Sequence, residues 1–281
     1  MAQVLDGKET AAALKEELLR KLERLAGEGI RPQLAIVLVG ESKPSAMYAA
    51  FMQKAAAGYG IPVRLVREPA SISEAALIGV VRGLNEDAEV TGILMMMPLP
   101  ASICQERVIE AMDPDKDIDG LTAANQGRLM AGKDGLFPCT PCACMAILAH
   151  YGIQTDGKRA VVIGRSAVVG GPVAQLLQRA NATVTVCHSH TAHMESLTRE
   201  ADILVAALGK PQSVTADMVK PGAVVIDVGI NRLEGKTVGD VAYDEVEPVA
   251  GAITPVPGGV GAVTTTMVIE AIVRAAEKRR Q

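Results

Sequence analysis

The chain of 281 residues has no tryptophan, two phenylalanines and four tyrosines. A core built on aromatic stacking is thereby excluded. The interior has to be assembled from Ala, Val, Ile, Leu and the twelve methionines. No apolar run approaches the roughly 20 residues that a membrane helix needs, so no membrane partner is expected. The opening "MAQVLDGKET" lacks both a basic region and an apolar region of the kind that directs export, and a cytoplasmic protein is the expectation. A formal net charge of −4 offers no surplus of positive charge to hold nucleic acid. Five cysteines, an odd number, fit a reducing compartment better than a disulfide framework. What is present is ordinary for a folded protein: 49% hydrophobic and 21% charged residues. The length suits two modest domains or one large α/β domain.

Two clusters invite a metal reading. "PCTPCAC" places Cys139, Cys142 and Cys144 together, but a structural zinc wants four ligands at set spacing and no second pair stands beside them. Three buried or half-buried thiols are the better reading. "HSHTAH" carries His188, His190 and His193 directly after an apolar strand, which makes it a polar loop at a strand end. No metal site is expected.

Along the chain, apolar runs alternate with amphipathic stretches. Leu14, Leu18, Leu22 and Leu25 recur at helical spacing over 9–28. "LAIVLV" (34–39) reads as a buried strand, followed by a helix over 44–60, a strand at 63–66, a helix over 73–86 and a strand at 92–97. "DPDKDIDG", rich in turn formers and acids, reads as a surface or cleft loop. A second series begins at "AVVIG" (160–164). It continues as helix 170–180, strand 183–187, helix, strand 202–208, helix and strand 223–229. Continuously apolar strands alternating with helices imply parallel sheets covered on both faces. The fold class is therefore α/β in two lobes with a cleft between them. Residues 1–140 form the first lobe and 141–261 a Rossmann-type lobe, with the final helix, 262–281, packing back on the first.

"VVIGRSAVVGGP" follows a strand and opens a helix, the context in which a glycine-rich turn signals a dinucleotide. The spacing is not G-x-G-x-x-G, but Gly164 permits a tight turn and the helix N-terminus offers N–H groups to a pyrophosphate. A site for NAD usually ends its second strand with Asp or Glu; here the strand ends "VCHSHT". Arg165, with Ser189 and His190 opposite, suits a 2′-phosphate, which favours NADP.

"PDKDIDG", "PCTP", "VVIGRS", "HSHT", "KPGAVVIDVGIN", "GDV" and "ITPVPGGVG" occur in that order. Together they resemble the bifunctional methylenetetrahydrofolate dehydrogenase/methenyltetrahydrofolate cyclohydrolase family, often called FolD, from about residue 3 to about residue 275. The resemblance implies a two-lobed protomer that dimerises through the Rossmann lobe and serves one-carbon metabolism and purine biosynthesis. It implies NADP-dependent oxidation of 5,10-methylenetetrahydrofolate, then hydrolysis of the methenyl product to 10-formyltetrahydrofolate. Carried over by position, Tyr48 would stack on the aminobenzoyl ring and Asp119 would accept hydrogen bonds from the amino edge of the pterin. Gly164, Arg165, Ser166, Ser189, His190 and Ile230 would hold NADP, and the 255–261 loop, with Gly258 and Gly259, would border both ligands. Plainer roles stand beside these, Asp119 as a turn-tying carboxylate and Tyr48 as a core aromatic.

The chain departs from the family pattern where the chemistry is most demanding. The family carries an active-site Lys four residues after its Tyr, and here that position is Met52. The family's strand reads "GIL-x-Q-x-PLP"; here "GILMMMPLP" puts Met96 in place of Gln. Ala143 and "GVGAVT" are smaller departures. Lys54 does not substitute: at roughly 100° per residue it lies about 200° round the helix from Met52. Lys43, just ahead of the helix, is the other stand-in to consider. Hydride transfer needs no side-chain acid or base, whereas hydrolysis of the methenyl cation does. The expectation is a dehydrogenase whose cyclohydrolase activity is weak or lost. Three alternatives stay open: full bifunctionality through a substitute base, an oxidoreductase acting on another one-carbon carrier, and a non-catalytic folate- or nucleotide-binding protein.

Overall fold

The computed structural model describes residues 1–279. The chain opens with β1 (Gln3–Val4) and α1 (Gly7–Gly27). It continues through β2 (Leu34–Val39), α2 (Lys43–Ala57), β3 (Val63–Glu68), α3 (Glu74–Glu86) and β4 (Gly92–Met95). Three helices follow, α4 (Gln105–Glu110), α5 (Ala123–Met130) and α6 (Cys139–His150). Next come β5 (Arg159–Ile163), α7 (Gly170–Arg179), β6 (Thr183–Cys187), α8 (Met194–Thr198), β7 (Ile203–Ala206) and β8 (Val224–Asp227). A ribbon of β9 (Asn231–Leu233) and β10 (Lys236–Val238), then α9 (Tyr243–Val246), β11 (Ala252–Ile253) and α10 (Val260–Lys278), complete it. Among the described residues no helix is long and apolar enough to cross a membrane.

The chain divides into two compact units. One comprises Lys15–Cys139 and the chain from Val268; the other comprises Met1–Leu14 and Thr140–Met267. The expected first lobe, 1–140, therefore gives up its opening segment. The reason is a strand pairing: Gln3 and Val4 lie parallel to Ala252 and Ile253, at the edge of the larger sheet. The final helix joins the first unit only from Val268, not from 262.

The smaller sheet has the order β3-β2-β4, with both pairings parallel. All six residues of β2 and all four of β4 are buried, as continuous Val/Ile/Leu/Met runs covered on both faces require. Helix α2 starts where Ser42 accepts a hydrogen bond from the Ser45 N–H and Pro44 occupies the first turn, an N-terminal position where its missing N–H costs nothing. Ser45, Ala49, Met52 and Ala56, spaced four, three and four, form its buried stripe.

The "DPDKDIDG" segment, expected as a surface or cleft loop, turns its middle inward. Lys116, Asp117 and Ile118 are buried. The Lys116 ammonium donates to the carbonyls of Leu84, Asn85 and Asp87, at 2.9, 2.6 and 2.7 Å, and so caps the C-terminal end of α3. Asp117 Oδ2 accepts from the Thr122 N–H and from Asn125 Nδ2, at 2.8 and 3.1 Å, tying the start of α5. Charged residues enter the interior here because each finds a hydrogen-bonded partner.

The larger sheet has the order β1-β11-β8-β7-β5-β6, every pairing parallel. Ile163, Cys187, Ala206 and Asp227 fall on one register row, so β5, β6, β7 and β8 end level. The helix expected between β7 and β8 is absent. In its place stands one 3-10 turn, Ala216–Met218. Pro211 and Pro221 bracket the segment, and Val214 is drawn into an extended parallel bridge with Val241.

Candidate functional site

In the Lys15–Cys139 unit, Tyr48 and Met52 are one turn apart on α2 but differently placed. Tyr48 is 39% exposed, whereas Met52 is fully buried at 0%. Met96 follows β4 and is also buried, its N–H extending the ladder to the Val37 carbonyl at 2.9 Å. Both methionines are thus interior side chains with no proton to give or take. Lys43, the first residue of α2, and Lys54 are both exposed. Each is set far round the helix from Met52, and neither shares its buried stripe.

Asp119 is half-buried after the Lys116–Ile118 turn. Burial raises its carboxyl above the ordinary range, the nearby Asp117 adds to this, and hydrogen bonds from the Cys139 thiol and backbone N–H oppose it. Burial also raises the Tyr48 phenol, with help from Asp119 and Cys139. Tyr48, Asp119 and Cys139 are therefore neighbours, brought from α2, the 113–120 turn and the start of α6. Cys139 is the member the sequence left without a role. Its thiol also lies 3.6 Å from the Ile118 carbonyl. Cys142 is half-buried and Cys144 fully buried. Among the described residues no group of three or more His, Cys, Asp or Glu side chains is placed to hold a metal ion.

In the other unit the turn after β5 is shaped by close approach. Gly164 has φ +125°, and a Cβ there would meet the Ala207 carbonyl oxygen at 2.2 Å. A Cβ on Gly170 would meet the Gly164 oxygen at 2.2 Å, so the first turn of α7 packs directly on the loop. Ser166 Oγ accepts from the N–H groups of Val169 and Gly170, at 3.2 and 3.3 Å, and shapes the entry to the helix. Arg165 and Ser166 are exposed, as are Ser189 and His190 beyond the end of β6. The Gly164 N–H donates to the Cys187 carbonyl at 2.8 Å, so the two loops leave adjacent strands side by side. The His188–His193 loop is a polar turn: Thr191 Oγ1 accepts from the His188 N–H at 2.8 Å, and His188 Nδ1 accepts from the His190 N–H at 3.2 Å.

Beyond β8, Ile230 is 70% exposed. It borders a cavity of about 350 Å³ together with Asp227, Thr237, Pro255, Gly258 and Gly259. These groups stand outside the carboxyl ends of parallel strands, where a doubly wound sheet takes its ligands. Lys8, in the first turn of α1, lines the same cavity. Sequence reading passed over it because nothing local links the start of α1 to a loop some 250 positions away.

Residues 5–119 match the family model described as "Tetrahydrofolate dehydrogenase/cyclohydrolase, catalytic domain", and residues 138–280 match "Tetrahydrofolate dehydrogenase/cyclohydrolase, NAD(P)-binding domain". The chain belongs to the tetrahydrofolate dehydrogenase/cyclohydrolase family. The Bifunctional protein FolD of Polaromonas sp. is 49% identical over 278 residues, 99% of each chain. The crystal structure of the Campylobacter jejuni FolD methylenetetrahydrofolate dehydrogenase/cyclohydrolase superposes with a TM-score of 0.97 at 42% identity, covering 99% of this chain and 100% of that one. The Trypanosoma brucei dehydrogenase–cyclohydrolase, solved with NADP and an inhibitor, gives 0.92 at 36% identity, covering 100% and 99%. As a member of this family the chain carries a catalytic domain and an NAD(P)-binding domain. The glycine contacts at Gly164 and Gly170 fit that assignment, since a side chain at either would collide with the backbone of the tight turn that leads from β5 into α7.

Proposed function

We propose that the protein oxidises 5,10-methylenetetrahydrofolate to 5,10-methenyltetrahydrofolate with NADP, and that its cyclohydrolase activity is weak or lost. The observation that carries this reading is Met52, fully buried at the position where the family has its active-site lysine. Met96, also buried, occupies the family's glutamine position.

NADP, when bound, accepts a hydride at its nicotinamide ring. The substrate carbon lies between two nitrogens whose lone pairs stabilise the methenyl cation as the hydride departs. Tyr48 supplies a ring to stack on the aminobenzoyl group, and its raised phenol pKa keeps the hydroxyl protonated. The Asp119 carboxyl accepts from the amino edge of the pterin, with the Cys139 thiol and backbone N–H holding it through two hydrogen bonds. These residues bind and orient; none needs to move a proton for hydride transfer. Hydrolysis is different. Water must lose a proton as it attacks, and the adduct must open by protonation at nitrogen. A positioned acid–base group contributes ~10²–10⁴-fold to such a step. A thioether cannot serve.

NADP rather than NAD is supported by exposed Arg165 beside Ser189 and His190, and by the absence of a carboxylate at the end of β6. By the same reading the catalytic unit binds folate, and protomers pair through the Rossmann unit as a homodimer. The test is to give purified protein methylenetetrahydrofolate and NADP, then methenyltetrahydrofolate alone. NADPH formation, with methenyl decay no faster than in buffer, supports the reading. Rapid enzyme-dependent decay refutes loss of the hydrolase, and failure to form NADPH refutes the dehydrogenase.

A further inference from the structure

Among the described residues, Lys8 is the one cationic side chain lining the 350 Å³ cavity beside Ile230. Its backbone is pinned from several directions. The Gly7 N–H donates to the Gly258 carbonyl at 2.8 Å, and a Cβ on Gly7 would meet the Gly259 oxygen at 2.0 Å. The Tyr151 hydroxyl donates to the Asp6 carbonyl at 3.1 Å, and the Lys8 N–H donates to Asp6 Oδ1 at 2.7 Å. The side chain is exposed, and its ammonium has no hydrogen-bond or ion-pair partner among the described residues. The other ionisable lining group, Asp227, is buried and already engaged. Its Oδ1 accepts from the N–H groups of Gly229 and Asp240, and its Oδ2 from that of Val241.

The position along the sheet decides what faces this ammonium. The glycine turn that takes a pyrophosphate follows β5, and Arg165 and Ser189 stand over β5 and β6. The cavity lies past the end of β8, on the opposite side of β5, with β7 between. A dinucleotide lying across level strand ends, with its adenosine over β5 and β6, brings its nicotinamide toward β7 and β8.

We propose that Lys8 biases the redox state of the bound nucleotide, its ammonium standing at the nicotinamide end and disfavouring the cationic oxidised ring relative to the neutral reduced one. This rests on the NADP reading above. In the reaction a hydride, with its two electrons, leaves the methylene carbon and bonds to nicotinamide C4. The ring loses its positive charge and the folate product gains it. With the nucleotide bound alone, Lys8 repels the charge of the oxidised ring and meets none on the reduced ring, so it favours the reduced nucleotide. A unit charge roughly 8 Å away in an effective dielectric of about 40 changes the relative affinity on the order of fivefold.

The experiment measures Kd for NADP⁺ and for NADPH on the full chain, in wild type, K8R, K8Q and K8E. The expected ratio Kd(NADP⁺)/Kd(NADPH) is unchanged in K8R, about fivefold lower in K8Q and lower again in K8E. A ratio that stays constant across the series overturns the proposal. So does an equal weakening of both nucleotides, which would make Lys8 an anion-binding residue. If wild type binds neither nucleotide, the NADP reading itself falls and takes this proposal with it.

Discussion

Asp240 donates its backbone N–H to Asp227 Oδ1 at 3.0 Å, placing two buried carboxylates side by side beneath the loops that border the nucleotide-side cavity. Asp240 itself accepts from the N–H groups of Leu208, Gly209 and Lys210 and from Asn231 Nδ2. One carboxylate thus gathers the loop after β7 and the start of β9, while the other gathers the turns at Gly229 and Val241.

The pair makes stability depend on pH. Burial, followed by the charge of Asp240, pushes Asp227 up to about 6 from 3.8, against three N–H donors that favour ionisation. In the folded state the group holds its proton more tightly than in the unfolded chain. Its contribution is therefore fully present below the unfolded value and is lost as pH rises through about 6. Between about pH 7 and about pH 5, wild type is expected to gain about 1 kcal/mol relative to Asp227→Asn, measured by urea denaturation. A constant difference across that range would count against the raised value.

Cys139 acts on Asp119, and substitution there should move a pH profile. The thiol and the backbone N–H both favour the ionised carboxylate. Cys139→Ala removes one of the two donors, so the folded pKa of Asp119 rises further. The acidic limb of kcat/KM for methylenetetrahydrofolate is expected to shift to higher pH. Cys139→Ser, which keeps a donor, is expected to stay closer to wild type.

Arg165 is exposed at the nucleotide turn, where loss of a charge-assisted phosphate contact should appear as lost discrimination. Arg165→Ala is expected to lower kcat/KM for NADP roughly tenfold with little change for NAD, since a charged hydrogen bond is worth about 1.5–3 kcal/mol. Steady-state kinetics with both nucleotides checks this.

Met52→Lys combined with Met96→Gln should recover hydrolysis. Cyclohydrolase activity is expected to rise on the order of 10²-fold over wild type, followed as enzyme-dependent decay of methenyltetrahydrofolate. The same variant should lose thermal stability, because a side chain fully buried as Met52 becomes cationic. Unchanged decay in a folded double variant would place the missing chemistry elsewhere.

Much of this molecule follows from local pattern alone. The continuous apolar run 34–39 is a strand with those bounds, because a strand covered on both faces has no polar position to blur its ends. The run 183–187 also has its expected bounds, although it is an edge strand that leaves Thr183, Thr185 and Val186 exposed. The glycine turn at 164 is legible because backbone geometry and close approach demand that residue type. Met52 and Met96 are visible by reading alone.

Tertiary structure decided what depends on partners distant in sequence. Gln3 and Val4 belong to the larger sheet because β11 offers an open edge. Residues 207–222 form no regular helix because Val214 bridges to Val241 and prolines bracket the stretch. Lys116 and Asp117 look like surface charges until Leu84, Asn85 and Asp87 are seen to take the ammonium and Thr122 and Asn125 one oxygen of the carboxylate. Cys139 meets Asp119, and Lys8 meets the 255–261 loop, only once the chain has folded. Periodicity records which face a residue buries; it carries no record of which distant donor, acceptor or charge waits there.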